Sequence, residues 1–552
     1  MSENAHLAVP VLIVGGGPIG LALAADLGKR GIAVRLVEAG PDTVGSAKMI
    51  VVSVRTMEFV RQLGIADQVR DWGFPLDLPL DSVFCTALTG HELGRVVTPP
   101  LSVQADSDFS PERERPCPQT WFDPILKRFV ATIPHVEVTY DCRLETFEQD
   151  EAGVTALLRH ADGRVETLRA GYLVGCDGYG STVRDLLGIE LRGNKFLDRS
   201  MSLYVRSAAF WQVHDLGPAY RYVVVGEAGP WAVLTTIDGR DLWRVQLIGV
   251  ETWNLTRDQQ EDAIRRIVGV DAPFTIEDTS TWVRKMTVAD RFSDGRVFLA
   301  GDAAHAHPPN GGLGMNTGIQ DAFDLGWKLA AMVQGWGGAH LLDSYDIERR
   351  PASARAAEES LRNYRRLTAQ PPEKHLLDNG PAGQEARARL GAALVAENEK
   401  AWHPTGVHLG YSYDPSPIVV PDGTPRLKDD PVTYVPNARP GARAPHVELS
   451  DGRSILDLFG EGFVLLDFGA RPDPATVLAA SVNRLPLEIV QIADAGARKL
   501  YAAGMALVRP DGHVAWRGDD APPEGWVALF DTVRGAGPFI AARRVGVSAA
   551  TL

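Results

Sequence analysis

The chain has 552 residues, a formal charge of −14, and 45% apolar and 23% charged residues. That length suits roughly three domains at about 100 to 200 residues each, and the composition is that of a globular enzyme rather than a disordered or fibrous chain. Acids and bases are interspersed, so no basic face is offered to nucleic acid. The apolar stretch from Val9 to Ala25 is broken by glycines and Pro18, so it does not read as a membrane span.

The start lacks the basic segment of a secretory leader. The four cysteines, Cys85, Cys117, Cys142 and Cys176, have neither Cys-x-x-C nor metal-ligand spacing. These features predict a cytoplasmic protein with reduced thiols and no metal, nucleic-acid or membrane partner.

In chain order, Val11 to Val14, a glycine turn, the small-residue run Leu21 to Leu27 and then Ile32 to Glu38 predict strand, helix and strand, the start of a right-handed parallel sheet. A second strand and turn is expected at Tyr172 to Gly178. A third, Arg296 to Asp302, leads into a helix from about Asn316 to Val333, with Ile319, Phe323, Leu329 and Ala330 at helical spacing. Between them, residues 191–284 read as an antiparallel meander, with strands at Ser202, Tyr222, Trp231 and Trp243. Alternation puts Tyr222 and Val224 on one face and Val223 and Val225 on the other.

Residues 401–445 are proline-rich and predict an extended connection. Beyond them a separate α/β unit is expected, containing a hairpin closed by Asp511-Gly512 as a tight two-residue turn.

Gly15, Gly17, Pro18 and Gly20 follow a strand and open a helix. The first glycine permits the turn, the second admits a pyrophosphate and the third lets helix and strand pack, with the phosphate on the helix dipole. Glu38 closes the second strand, where a carboxylate accepts from ribose hydroxyls and repels a 2′-phosphate. This motif predicts the ADP half of FAD or NAD. In Gly301-Asp302 to Asn316, a strand end delivers Asp302 as a ribityl acceptor, and the glycines of 311–314 expose N–H groups at a helix start, which stabilise a reduced flavin's negative charge. His305 and His307 read as bridges between backbone groups.

The glycine fingerprint with Glu38, the run Cys176-Asp177-Gly178 to Arg184, and the Gly301-Asp302 run through Pro308, Gly311, Gly312, Leu313, Gly314, Met315 and Asn316 together resemble the class A flavoprotein monooxygenases, the group that includes para-hydroxybenzoate hydroxylase and phenol hydroxylase. The resemblance implies that Asp177 and Gly178 lie near the pyrophosphate and the passing nicotinamide, that Asp302 binds the ribityl chain, and that Gln119 reaches the flavin. Lys48 stands where the family commonly has arginine; it keeps the charge and loses the planar fork. The last segment resembles the thioredoxin-like domain appended to phenol hydroxylase and polyketide hydroxylases, with Asp473 and Thr476 at the positions of the redox cysteines.

The fold implied is α/β: a Rossmann-type FAD-binding domain over 1–190 and 285–400, an inserted antiparallel-sheet substrate domain over 191–284, the connection 401–445, and a thioredoxin-like domain over 446–552 without redox thiols. The function implied is hydroxylation of a phenolic substrate by O2, with FAD resident, NADH or NADPH as a visiting electron donor, and an FAD C4a-hydroperoxide as the oxygen donor. A homodimer is expected by analogy. The alternative readings are a flavin-dependent halogenase or reductase of the same fold and a non-enzymatic FAD-binding sensor. The halogenase Trp-x-Trp-x-Ile segment is absent from the sequence, and a sensor need not keep complete Asp-Gly and Gly-Asp motifs. For handling the phenol, the polar residues of the inserted sheet, Tyr204, His214, Arg221, Tyr222 and Arg244, are the candidates.

Overall fold

The computed structural model describes residues 7–43, 45, 49–105, 107–399, 405–472 and 474–537. Lys48 and Asp473 lie outside them.

Val9–Val14, rich in β-branched residues, forms the middle of a parallel sheet. Val165–Gly175 and then Val297–Leu299 lie on one side of it, Val34–Val37 and then Val136–Thr139 on the other. The helix Pro18–Lys29 follows the first strand, with Gly17 at its N-cap and proline at its first position, where the missing N–H costs nothing. It lies against the long helix Leu313–Gln334, which begins three residues before the expected Asn316 because Gly312 takes the left-handed conformation and starts the turn there.

The second sheet has eight strands, in the order His305–Ala306, Thr275–Ala289, Leu191–Arg206, Leu242–Ile248, Gly229–Thr236, Arg221–Gly226, Ser82–Cys85 and Glu92–Val96. It departs from the expected meander in two ways. The strand ending at Arg206 pairs with 242–248 and not with its next neighbour in sequence, and 82–85 enters from outside 191–284, parallel to 221–226. Residues 82–96 carry a weak apolar pattern, and it is the sheet edge that gives them a partner.

One face of this sheet carries Leu203, Tyr222, Leu234, Trp243 and Val245, packed on Ile264 and Ile267 of the helix Arg257–Val268. Burying each such side chain contributes about 1.5–3 kcal/mol. On the opposite face, Phe84, Val223 and Val225 meet Leu390 and Leu394 of the helix Pro381–Glu399, which covers the far end of the sheet. The near end of that face turns toward the parallel-sheet domain.

The C-terminal sheet runs in the order Leu487–Gln491, Phe463–Asp467, Met505–Val508, Val514–Gly518, the first pair parallel and the others antiparallel, with helices at Pro474–Val482, Ala495–Tyr501 and Trp526–Val533. This is a thioredoxin-like arrangement. Its hairpin differs from the expected two-residue turn: Gly512 N–H bonds to Arg509 O across Pro510 and Asp511, and only Gly512 has positive φ, at 79°. Pro510 fixes a negative φ at the second position, so the turn shifts one step toward the N-terminus.

Candidate active site

At the nucleotide end, the three fingerprint glycines have separate reasons to be glycine. A Cβ on Gly15 would lie 2.4 Å from Cys176 O, and one on Gly20 would lie 2.0 Å from Gly15 O, whereas one on Gly17 would meet nothing within 4 Å. The space over Gly17, at the uncapped start of the helix Pro18–Lys29, is the cradle a pyrophosphate needs. Glu38 sits beside it, its Oε2 accepting from Gly16 N–H at 2.6 Å and its Oε1 from Gly40 N–H at 2.7 Å. Each oxygen has a further lone pair for a ribose hydroxyl.

Asp177 faces the same turn; its Oδ1 accepts from Ser181 Oγ at 2.5 Å and its Oδ2 from Val183 N–H at 3.1 Å. Gly178 has φ of 77°. Burial pushes the Asp177 carboxyl up, and the Ser181 and Val183 hydrogen bonds oppose that rise.

At the other end of the groove, Asp302 is exposed on the turn Gly301–Ala303. The turn is fixed from behind by the fully buried Asp321, whose Oδ2 accepts from Gly301 N–H at 3.1 Å and from His305 Nε2 at 2.6 Å, while Arg349 Nε binds its Oδ1 at 2.9 Å. His305 therefore acts as a structural bridge. His307 is held neutral by burial beside it.

Pro308 is buried, Gly311 is exposed, and Leu313, Gly314 and Met315 start the long helix with no side-chain cap, which leaves their N–H groups without partners inside the helix. Asn316 spends its side chain on the protein itself. Its Oδ1 accepts from Ser53 N–H and Thr56 Oγ1 at 2.9 and 2.8 Å, and its Nδ2 donates to Val51 O and Gly312 O at 3.1 and 2.6 Å. It ties the 51–53 strand to the helix start. Gln119 lies alongside, its N–H on Met49 O and its Nε2 on Asp123.

Strand register brings three of the predicted sheet residues together. Tyr204 pairs with Arg244, Arg244 with Thr235, and Thr235 with Arg221, so these four form one row across one face. That is the face turned toward the parallel-sheet domain, where Tyr220 OH lies 3.5 Å from Ile50 O. Burial pulls the Arg221 guanidinium down to about 10. Tyr222 and His214 lie elsewhere: Tyr222 points to the opposite face, donates its OH to Gly217 O at 2.6 Å, and has the His214 ring beside it at 5.2 Å between centroids.

Two residues that sequence reasoning passed over complete the near end. Arg284, fully buried, donates to Asn310 Oδ1 at 2.8 Å and Ser200 Oγ at 3.0 Å, which locks the 307–312 loop to the sheet. Glu114 precedes the short strand Arg115–Pro116, which pairs with Val51–Val52. In the sequence it stands between two arginines and reads as a solvated loop; its signal was its closeness to Cys117-Pro118-Gln119. Its side chain is accessible, yet burial pushes its carboxyl up to about 7, with Arg221 drawing it back. A cleft of about 1360 Å³, lined by Arg350, Arg355, Tyr411 and Asp429 among others, includes none of these groups in its lining.

A cradle for pyrophosphate, a ribose acceptor, a ribityl acceptor and a helix start for a flavin, in one groove, fit FAD. Residues 8–360 match the family described as FAD binding domain, and residues 437–536 match that described as aromatic-ring hydroxylase, C-terminal. The chain belongs to the class A FAD-dependent aromatic hydroxylases.

This hydroxylase is 32% identical to 2,4-dichlorophenol 6-monooxygenase of Delftia acidovorans over 94% of its own length and 96% of that protein. It is also 32% identical to tetracenomycin A2 monooxygenase-dioxygenase of Streptomyces glaucescens, covering 94% of each chain. Among solved structures, the rebeccamycin biosynthetic enzyme RebC with reduced flavin superposes with a TM-score of 0.89 at 37% identity, covering 97% of this chain and 100% of that one. A ternary complex of aklavinone-11 hydroxylase with FAD and aklavinone gives 0.82 at 28%, covering 97% and 100%. The enzyme is thus an FAD-dependent aromatic monooxygenase. No helix among its described residues is long and apolar enough to cross a membrane.

Proposed function

We propose that the enzyme hydroxylates a phenolic ring of a polycyclic aromatic substrate, taking electrons from NADH or NADPH and oxygen from O2. The observation that carries this reading is the row Tyr204, Arg244, Thr235 and Arg221, on the sheet face opposite the one covered by the helix Arg257–Val268. The polycyclic class is supported by the aklavinone named with one structural relative and by the tetracenomycin named with one curated relative.

FAD, when bound, supplies the hydride acceptor and the activated oxygen. Gly17 and the helix behind it would hold its pyrophosphate, Glu38 its ribose, Asp302 its ribityl chain, and the N–H groups of 313–315 the charge on its ring. Gln119 and Met49 belong to the adjoining wall. Arg221 and Arg244 attract the phenol oxygen as it becomes anionic, and their planar forks orient it. The apolar residues Ile50, Phe74, Leu101 and Ile237 form the wall beside Tyr220 and exclude water from the ring.

The cytoplasmic location is supported by four free thiols, three of them buried. The expected homodimer belongs to the same reading, and sedimentation of the purified protein tests it. The activity itself is tested by NADH and NADPH oxidation in air with small and polycyclic phenols, products being analysed by mass. Phenol-stimulated oxidation with a product heavier by one oxygen atom is the expected result. Bound FAD with no stimulation by any phenol overturns the reading.

A further inference from the structure

The helix that would meet the charge of a reduced flavin starts from a turn built of local parts. Gly312 N–H donates to Pro309 O at 3.1 Å, with Asn310 and Gly311 between them. Gly311, third in the turn, has φ of 96°, and Gly312 follows at 65° as the residue before the helix Leu313–Gln334. A turn with positive φ at its third residue calls for glycine there. Asn316 Nδ2 holds Gly312 O from inside the helix at 2.6 Å. These bonds shape the turn, but none of them places it against the substrate sheet.

Arg284 does that. Strand register sets it opposite Asp198, beside the irregularity at 195–197. From there its Nη1 donates to Asn310 Oδ1 at 2.8 Å, its Nη2 to Ser200 Oγ at 3.0 Å and its Nε to Asp198 Oδ1 at 3.3 Å. Tyr364, on the helix Asp343–Thr368, donates its OH to Asp198 Oδ2 at 2.7 Å, and its ring centroid lies 4.6 Å from the guanidinium carbon. One fully buried side chain thus joins the strands Leu191–Arg206 and Thr275–Ala289 to the turn. The turn is closed from the other side as well. A Cβ on Gly311 would lie 2.9 Å from Nδ2 of the buried Asn363, whose Oδ1 accepts from Arg366.

We propose that Arg284 is the positioning residue that sets the turn 309–312 against the substrate sheet, and so fixes where the N–H groups of 313–315 point. The inference rests on the placement of FAD at that helix start, as read above, and not on the identity of the phenol. Those N–H groups favour negative charge, and their effect falls off within the first turn. A turn free to shift therefore loses more affinity for the anionic, reduced flavin than for the neutral, oxidised one.

A counter-ion to Asp198 would need only a charge, and lysine supplies that. The geometry asks for more. Three nitrogens of one planar group reach partners on two strands and a turn, which a single ammonium on a flexible stem cannot do. Arg284→Lys therefore keeps the ion pair and gives up the turn. Asn310→Ala gives up the same bond from the other end and leaves Arg284 with Asp198 and Ser200.

The test loads wild type, Arg284→Lys and Asn310→Ala with FAD and measures flavin affinity, the midpoint potential of the bound flavin in a dye-coupled reductive titration, and apoprotein melting, all without a phenol. In both variants the affinity for reduced flavin should fall about tenfold further than that for oxidised flavin, within the range a charge gains at a partly buried helix start. That ratio lowers the two-electron midpoint by about 30 mV. Melting of the Asn310→Ala apoprotein should match wild type, so that loss of fold does not account for the shift. A change under about twofold in that ratio in both variants, roughly 10 mV, overturns the proposal and leaves Arg284 the counter-ion of Asp198. A shift in Asn310→Ala with Arg284→Lys at the wild-type value overturns it too, because the turn then needs the asparagine and not the fork. A wild type that takes up no FAD fails the placement of the cofactor, and this inference with it. One that takes up FAD but shows no phenol-stimulated oxidation fails the hydroxylase reading alone, and the potentials still decide the role of Arg284.

Discussion

Arg509, on the hairpin of the C-terminal unit, forks onto Glu348 of the helix Asp343–Thr368, with Nη1 2.6 Å from Oε1 and Nη2 3.0 Å from Oε2. Both side chains are fully buried. Lys328 Nζ reaches Glu348 Oε2 at 2.6 Å and Asp324 Oδ2 at 2.8 Å, and Asp511 binds Arg509 at 2.5 Å. Here three carboxylates face two cations. Burial pushes the Asp324 carboxyl up, opposed by Lys328 on its Oδ2 and Arg509 on its Oδ1, 2.8 and 3.0 Å away.

Removing one partner of such a pair strands the others. Arg509→Met should cost about 3–5 kcal/mol, read as a lower denaturant midpoint at unchanged slope. Arg509→Lys, which keeps the charge but not the fork, should fall between. A loss under about 1 kcal/mol for Arg509→Met would show that the cluster does not hold the C-terminal unit in place.

The fingerprint glycines separate fold from ligand. In Gly17→Ala the new methyl enters the open cradle, so the apoprotein should melt like wild type while FAD binds at least about tenfold more weakly, a difference of roughly 1.4 kcal/mol. In Gly20→Ala the methyl is driven into Gly15 O, adding about 1–3 kcal/mol of destabilisation. Flavin fluorescence titration and apoprotein melting read the two effects apart, and undiminished FAD affinity in Gly17→Ala would place the pyrophosphate elsewhere.

Tyr222 and Arg221 are adjacent in sequence and opposite in role. Tyr222→Phe removes only the hydrogen bond to Gly217 O, so about 1 kcal/mol of stability should go with turnover kept within about twofold. Arg221→Met should leave the protein folded and lower kcat/KM by about tenfold or more. If Tyr222→Phe abolished turnover, the substrate would lie on the helix-covered face.

Acid should unfold the protein partly through His408. It is buried beside Arg355, and burial pulls its imidazole down to about 4 from an ordinary 6.5. The unfolded chain takes up this proton below about 6.5 while the folded chain refuses it until about 4, so stability falls as pH falls across that window, by roughly 3 kcal/mol. His408→Gln should flatten that slope in denaturant titrations between pH 7 and 4. An unchanged slope would show that this histidine is not what acid attacks.

The nucleotide end of the site was readable because its chemistry is local: strand, glycines, helix and Glu38 fall within thirty or so residues, with Gly15 and Gly20 each answering a backbone contact and Gly17 an open space. Face assignment was half legible. Alternation separated Tyr222 from Val223, but only the pairing of 82–85 with 221–226 and the helix Arg257–Val268 shows which face is covered. Arg284 was hidden because its meaning depends on partners elsewhere in the chain, namely Asp198, Asn310 and Tyr364. Asn316 carries a task its motif does not announce, since its side chain ties Val51 and Ser53, far back in the chain, to Gly312. The hairpin at Asp511-Gly512 shows a local rule yielding to its neighbour, Pro510.

The strands Leu191–Arg206 and Thr275–Ala289 pair with each other along nearly their whole length, interrupted by irregularities at 195–197 and near Tyr204. They run from the edge of the nucleotide domain to the far side of the substrate sheet, and Arg284 bolts them to the 307–312 loop. Two ribbons joined side by side form a girder, not a hinge. Swinging the halves of this enzyme apart would mean breaking that paired ladder, so the side chains around the row from Tyr204 to Arg221, rather than the frame, are the parts to recut in changing what it admits.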